Sequence, residues 1–269
     1  MKIREEDKNA GKALRAARNK LFLMGAIRRS GAKPEHGLSL ACGSGRAERN
    51  AMTAGICASF HGVDLSEDAI KEARRIAQQE ALNISYSVDD LNSIKLEPNS
   101  YDLVITQNCL HHVLQLEHLA DEIHRTLKPG GLLWVQDFVG ETQLQFSDKR
   151  LDIANTVLNL LPEKLRTKRG TGIVKKSIER PTPGKDISPF EAIRSAEIMP
   201  VFLQRFDIVE KRDSGGIIRL LLPMGTKANY TENEDTRAIY ELLQYLDQLL
   251  IREGILEPTG IQCLLRPKG

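Results

Sequence analysis

The sequence predicts a doubly wound α/β fold: a mostly parallel sheet covered by helices, with a helical cap inserted late in the strand order. Two observations carry that prediction. From residue 37 to residue 137 short apolar segments alternate with segments of helical period, a rhythm that implies parallel strands joined by right-handed crossovers. Tyr101-Asp102-Leu103-Val104-Ile105 is also apolar enough to be buried on both faces, as parallel strands are. A chain of 269 residues can enclose one core and an elaboration of it.

Each element has a local reason. From about Asn9 to Arg29, Leu14, Ala17, Leu21, Met24 and Ala26 recur at helical spacing. Gly37–Leu40 is expected as the first strand and Arg46–Thr53 as a helix. Ser59–Val63 is the second strand, and Ser66–Glu80 a helix with Ser66 as its N-cap and Asp68 in its first turn. Ile84–Val88 and Tyr101–Ile105 are the third and fourth strands. Leu116–Leu127 is helical and stops at Lys128-Pro129-Gly130-Gly131, where Pro cannot continue a helix and Gly accepts a left-handed turn. Leu132–Gln136 is the fifth strand. Residues 140–200 hold two helical stretches around a connector, Pro162–Pro189, rich in Pro, Lys and Arg. Phe206–Lys211 resumes strand character, Asn233–Arg252 is a long amphipathic helix, and Ile261–Leu265 is expected as a final edge strand. The expected division is 1–35 as an N-terminal helical lid, in which Phe22 and Met24 close over a ligand. Residues 36–139 with 201–269 form the sheet core, and 140–200 the cap.

With 41% hydrophobic and 28% charged residues, the composition is that of an ordinary globular protein. Lys and Arg total 38 against 36 for Asp and Glu, which provides no whole-molecule field to recruit nucleic acid or a membrane. MKIREEDKNAGKALRAARNK has no apolar stretch of signal-peptide length, and the longest apolar runs are too short to span a bilayer. Cys42, Cys57, Cys109 and Cys263 are scattered without a CxxC pair, so free thiols in a reducing cytoplasm are expected and a zinc site is not.

The first strand runs into Ala41-Cys42-Gly43-Ser44-Gly45, where small residues let backbone approach a ligand and the following helix offers free N–H groups. The second strand ends at Asp64, whose carboxylate can accept from both hydroxyls of a ribose. Together they imply a nucleoside-containing cofactor at the switch point of the sheet. NAD and S-adenosylmethionine both satisfy that much.

Four stretches decide between them: LSLACGSGRAE, GVDLSEDAIKEAR, SVDDLNSIKLEPNSYDLVITQNCLHHV and LKPGGLLWVQDFVG, covering roughly residues 37–140. In them the chain resembles the class I S-adenosylmethionine-dependent methyltransferases, in particular the bacterial small-molecule kind grouped as type 11. FVGETQLQFSDKRL, SPFEAIRS and EIMPVF resemble the C-terminal half of a subgroup of these enzymes. The resemblance implies a Rossmann-like, seven-stranded fold and S-adenosylmethionine as cofactor, with S-adenosylhomocysteine as product. It implies that Ala41, Gly43, Gly45 and Arg46 line the methionine end, that Asp64 holds the ribose, and that Leu65 lies against the adenine. Asp90 takes the adenine amino group, Leu91 contacts the ring, and Gln107 lies near the methionine amino group. Two positions depart from the family: Ser39 stands where an acid is usual and Ala41 where glycine is.

Methyl transfer from a sulfonium needs in-line placement above all, and a base only where the acceptor keeps its proton. His111 and Asp137 are the expected catalytic residues. His112, His61 and His124 are expected to be structural, and no carboxylate cluster suggests a metal. Lys164, Arg166, Lys168, Arg169, Lys175 and Lys176 form either a solvated loop or a lid for an anionic acceptor, with Gly170 and Gly172 as hinges; no aromatics interleave with them to stack on bases. The expected function is O-methylation of a small molecule, a natural product or sugar, by a monomer or homodimer. Its rivals are a non-catalytic cofactor binder, motivated by Ser39 and Ala41, and a nucleotide-cofactor oxidoreductase, for which Asp89-Asp90-Leu91-Asn92 and the HHV segment have no use.

Overall fold

A computed structural model describes residues 22–222 and 225–269. The expected N-terminal helix falls within these residues only over 22–30 (α1); the rest lies outside them. Seven strands follow: β1 His36–Leu40, β2 Ser59–Asp64, β3 Ile84–Val88, β4 Tyr101–Gln107, β5 Leu127–Phe138, β6 Phe206–Ser214 and β7 Gly260–Pro267. Their order across the sheet is β3-β2-β1-β4-β5-β7-β6, and the pairs from β3 to β5 are parallel. β7 is therefore not the edge strand expected; it lies between β5 and β6.

Period-two patterning divides the core between the two faces of the sheet. Val104, Leu133 and Val135 join Leu38, Leu40 and the helices α4 (Leu116–Thr126) and α7 (Ile198–Phe202) in one cluster. Their neighbours Leu103, Ile105, Leu132 and Trp134 point the other way, onto Leu23, Ala26 and Ile27 of α1 and Ala51 of α2 (Arg46–Thr53). Burying one such side chain stabilises by about 1.5–3 kcal/mol. α3 (Glu67–Gln79) starts as its sequence says: Ser66 Oγ accepts from Ala69 N at 3.2 Å, and Ile70, Ala73 and Ala77 form its buried stripe. Lys128-Pro129-Gly130-Gly131 ends the helix as expected, with Gly130 in the left-handed region at φ 81°. The helix stops at Thr126, β5 begins at once, and the register passes from Tyr101↔Leu127 to Leu103↔Leu132, so the turn residues bulge out within the strand.

The remaining chain forms a second compact unit, 144–188 with 213–260, around α5 (Asp148–Leu160) and α9 (Glu234–Arg252), with the short helices α6 (Glu163–Arg166) and α8 (Ile218–Leu221) between them. The expected boundary differs: α9 belongs here, because Leu243 and Leu250 pack with Ala154, Leu158, Ile217, Leu221 and Tyr230 in a separate core. Residues 189–212 belong instead to the sheet unit. Within the second unit, buried Asp247 accepts from Ile217 N at 2.6 Å and Ile218 N at 2.8 Å, and buried Arg150 donates to Gly216 O and Glu257 O. No helix among the described residues is long and apolar enough to cross a membrane.

Candidate functional site

The loop after β1 is held open by its backbone. Ala41, Gly43 and Gly45 all have positive φ, 48°, 55° and 81°, so the small residues meet a conformational demand. For Ala41 that geometry is a cost, since a left-handed L-residue loses roughly 1–2 kcal/mol. A Cβ on Gly43 would meet nothing within 4 Å, whereas one on Gly45 would come 2.9 Å from Glu48 Oε1. The upper side of the loop thus has room for a ligand and the lower side has none. Asp64, at the end of β2, accepts from Gly43 N at 2.7 Å and from Ser66 N at 2.9 Å, which fixes its carboxylate beside the loop. Next to it Leu65 is 68% exposed, an apolar surface open to a flat ring.

The other expected cofactor residues are distributed around the same strand ends. Asp90 Oδ1 accepts from Asn92 N and Nδ2, both at 2.9 Å, while Asn92 Oδ1 accepts from Leu114 N and Gln115 N. Leu91 is buried in the core cluster. Gln107 ends β4, opposite Gln136 of β5. Arg46 is exposed and lines a groove with Arg49, Asn50, Thr53, Glu80 and Leu82.

Beneath the loop lies a residue that motif reasoning passed over. Glu48, in the first turn of α2, is fully buried, and neither of its oxygens accepts a hydrogen bond. Burial pushes its carboxyl above the usual range, against the opposing influence of the Ser39 and Tyr86 hydroxyls and of Arg49. Glu48 thus brings a carboxyl group next to Ser39 from α2, nine positions on. Its sequence signal was the final residue of LSLACGSGRAE. Burial likewise pushes up the thiols of Cys42 and Cys109, so neither is a thiolate nucleophile near neutral pH.

A second cluster forms where β4 and β5 end. Asp137 is buried and accepts backbone N–H groups from Cys109 at 2.9 Å, Leu110 at 2.8 Å and Phe138 at 2.7 Å. The same carboxylate is hydrogen-bonded to Nδ1 of His111. An acceptor at Nδ1 places the proton there and leaves the Nε2 lone pair free. His111 Nε2 lies 3.7 Å from Glu191 Oε1, and His112 Nε2 lies 3.9 Å from Glu191 Oε2. Glu191 was missed because it follows the pair by some 80 positions; Ile193 N donating to His111 O at 3.0 Å fastens its loop there. His61 bridges Ser85 and Ser87, and His124 meets Lys268 O and the edge of Phe206.

The basic stretch is tied down within the second unit. Lys164 and Arg169 pair with Glu232, and Lys175 Nζ donates to Leu220 O at 3.0 Å. Gly170 and Gly172 take positive φ between the bridged residues Thr167 and Val174, forming a turn rather than hinges.

Residues 38–135 match the family model of a methyltransferase domain. Over 154 residues the chain is 31% identical to phosphoethanolamine N-methyltransferase 2 of Caenorhabditis elegans, covering 54% of this chain and 35% of that one. Over 165 residues it is 28% identical to 2-phytyl-1,4-naphtoquinone methyltransferase of Nostoc, covering 60% of this chain and 72% of that one. The first match thus spans about a third of its relative's length. Phosphoethanolamine N-methyltransferase 2 of Haemonchus contortus, solved in complex with S-adenosyl-L-methionine, has a TM-score of 0.55 at 19% identity, covering 91% of this chain and 51% of that one. That likeness is one of fold.

Proposed function

We infer that this chain, which carries a class I S-adenosylmethionine-dependent methyltransferase domain over residues 38–135, methylates a hydroxyl of a small molecule such as a natural product or sugar. The observation that carries the hydroxyl is the Asp137–His111 pair. S-adenosylmethionine supplies a methyl group on a sulfonium, already bearing a good leaving group. The chain supplies the rest. The open side of Gly43 accommodates the methionine end, Asp64 accepts from the ribose, and Leu65 covers the adenine, with Asp90 Oδ2 left to accept from the amino group.

Holding nucleophile and methyl carbon in line contributes about 7–11 kcal/mol. An alcohol or phenol keeps its proton at neutral pH, and His111 Nε2 takes it as the oxygen–carbon bond forms and the carbon–sulfur bond breaks, leaving S-adenosylhomocysteine. Such a base adds about 10²–10⁴-fold. Asp137 holds the imidazole in the tautomer that can do so. The thiols of Cys42, Cys57 and Cys109 agree with a reducing, cytoplasmic setting.

The test is incubation with S-adenosylmethionine and matched phenols, sugars and amines, read by mass spectrometry for one added methyl. Methylation of a hydroxyl that collapses in His111→Ala is the expected result. The C. elegans relative is named for N-methylation, which favours a second reading: an amine product that survives His111→Ala would replace the hydroxyl with nitrogen.

A further inference from the structure

We propose that His111, His112 and Glu191 bind one divalent transition-metal ion of the zinc type. Each offers a ligand atom, and the three atoms lie within 4.8 Å of one another. Donors around a tetrahedral zinc with bonds of ~2.1 Å stand roughly 3.4 Å apart. His111 Nε2 lies 3.7 Å from Glu191 Oε1 and His112 Nε2 lies 3.9 Å from Oε2, each histidine facing its own carboxylate oxygen, so side-chain rotation must draw donors that stand within 4.8 Å of one another in to bonding distance.

The outer partners are already in place. His111 Nδ1 is held by Asp137, and His112 Nδ1 lies 3.2 Å from Phe190 O. Both rings thus carry their proton at Nδ1 and turn the Nε2 lone pair toward Glu191, the arrangement that orients imidazole ligands in metal proteins. Two nitrogens and one carboxylate suit zinc, cobalt or nickel and leave a coordination position open. Charge agrees: Asp137 and Glu191 together balance a dication, and among the described residues the charged partners of Glu191 are the two histidines. Access is direct, since the side chains of His112 and Glu191 are 48% and 35% exposed. Spacing hid the site, because adjacent histidines and one distant glutamate match no metal signature, and the sequence alone argued against a metal.

The site goes beyond the methyl-transfer reading and does not rest on it. The two share one atom, His111 Nε2, which an ion and a proton can occupy only in turn. The decisive measurement is titration of chelator-treated, full-length protein with Co²⁺, followed by visible d–d absorption. One Co²⁺ per chain, displaced by Zn²⁺, is expected. Glu191→Gln and His112→Ala should each weaken it at least tenfold, and Asp137→Asn about 10–100-fold; circular dichroism verifies that each variant is folded. Absence of the band, a thiolate-to-cobalt charge-transfer band, or unchanged affinity in Glu191→Gln and His112→Ala would overturn the proposal. Thermal shift with S-adenosylhomocysteine on the same samples separates this result from failure of the methyltransferase reading.

Discussion

Two buried carboxylates of the sheet unit have opposite surroundings. Asp137 accepts three backbone N–H groups and holds His111, whereas Glu48, no less buried, accepts none. A charge persists in a protein interior where donors surround it, and elsewhere the proton is retained instead. The chain therefore has a fully donor-lined carboxylate behind the proposed base and one without donors behind the loop after β1.

The largest effect that could break this contrast is catalytic. His111→Ala should lower kcat by about 10²–10⁴-fold with little change in cofactor affinity, measured by steady-state kinetics and calorimetry. An equal loss in both would make His111 a cofactor residue. Asp64→Ala should cost about 1.5–3 kcal/mol of cofactor binding, seen by calorimetry with S-adenosylhomocysteine, while leaving the His111 cluster intact.

Glu48→Gln should stabilise by about 1–3 kcal/mol at mildly alkaline pH, the cost of leaving an unpartnered buried group. The sign follows from its raised pKa. The stabilising contribution of Glu48 is complete below the ordinary value of 4.5 and is lost as pH rises through the higher folded value. Denaturation by urea across pH should therefore show the advantage of the variant growing with pH, and a pH-independent difference would mean Glu48 is partnered in solution. The smallest effect belongs to Ala41→Gly: relief of the left-handed backbone, partly offset by a freer unfolded chain, leaves a gain of about 0.5–1 kcal/mol in the same measurement. A loss would show that the Ala41 methyl is packed against something that needs it.

Much of the fold was legible because it is written in local periodicity. Arg46–Thr53 and Ile84–Val88 begin and end where their patterns do, and Ser66 caps the helix that its type announces. What escaped was decided by distance along the chain. Nothing local in Ile261–Leu265 says that it displaces Phe206–Ser214 from β5, and nothing in Glu234–Arg252 says which core receives its apolar stripe. At the candidate site Asp64, His111 and Asp137 could be named because each stands at the C-terminal end of a strand or just past it. Glu191 could not, since only tertiary structure brings it to the histidine pair. Glu48 was visible as a residue but not as a role, because a first-turn glutamate usually faces water.

The placement of β7 between two strands that precede it has a consequence for how the protein is made. Among the described residues β6 has β7 as its only neighbour in the sheet, and 45 residues of chain separate the two. During synthesis β6 leaves the ribosome before its native neighbour, and its native pairing waits until the intervening helices and β7 itself have emerged. The β6–β7 pairing is a non-local contact across those 45 residues, of the kind that forms slowly because loop closure comes before the gain from pairing.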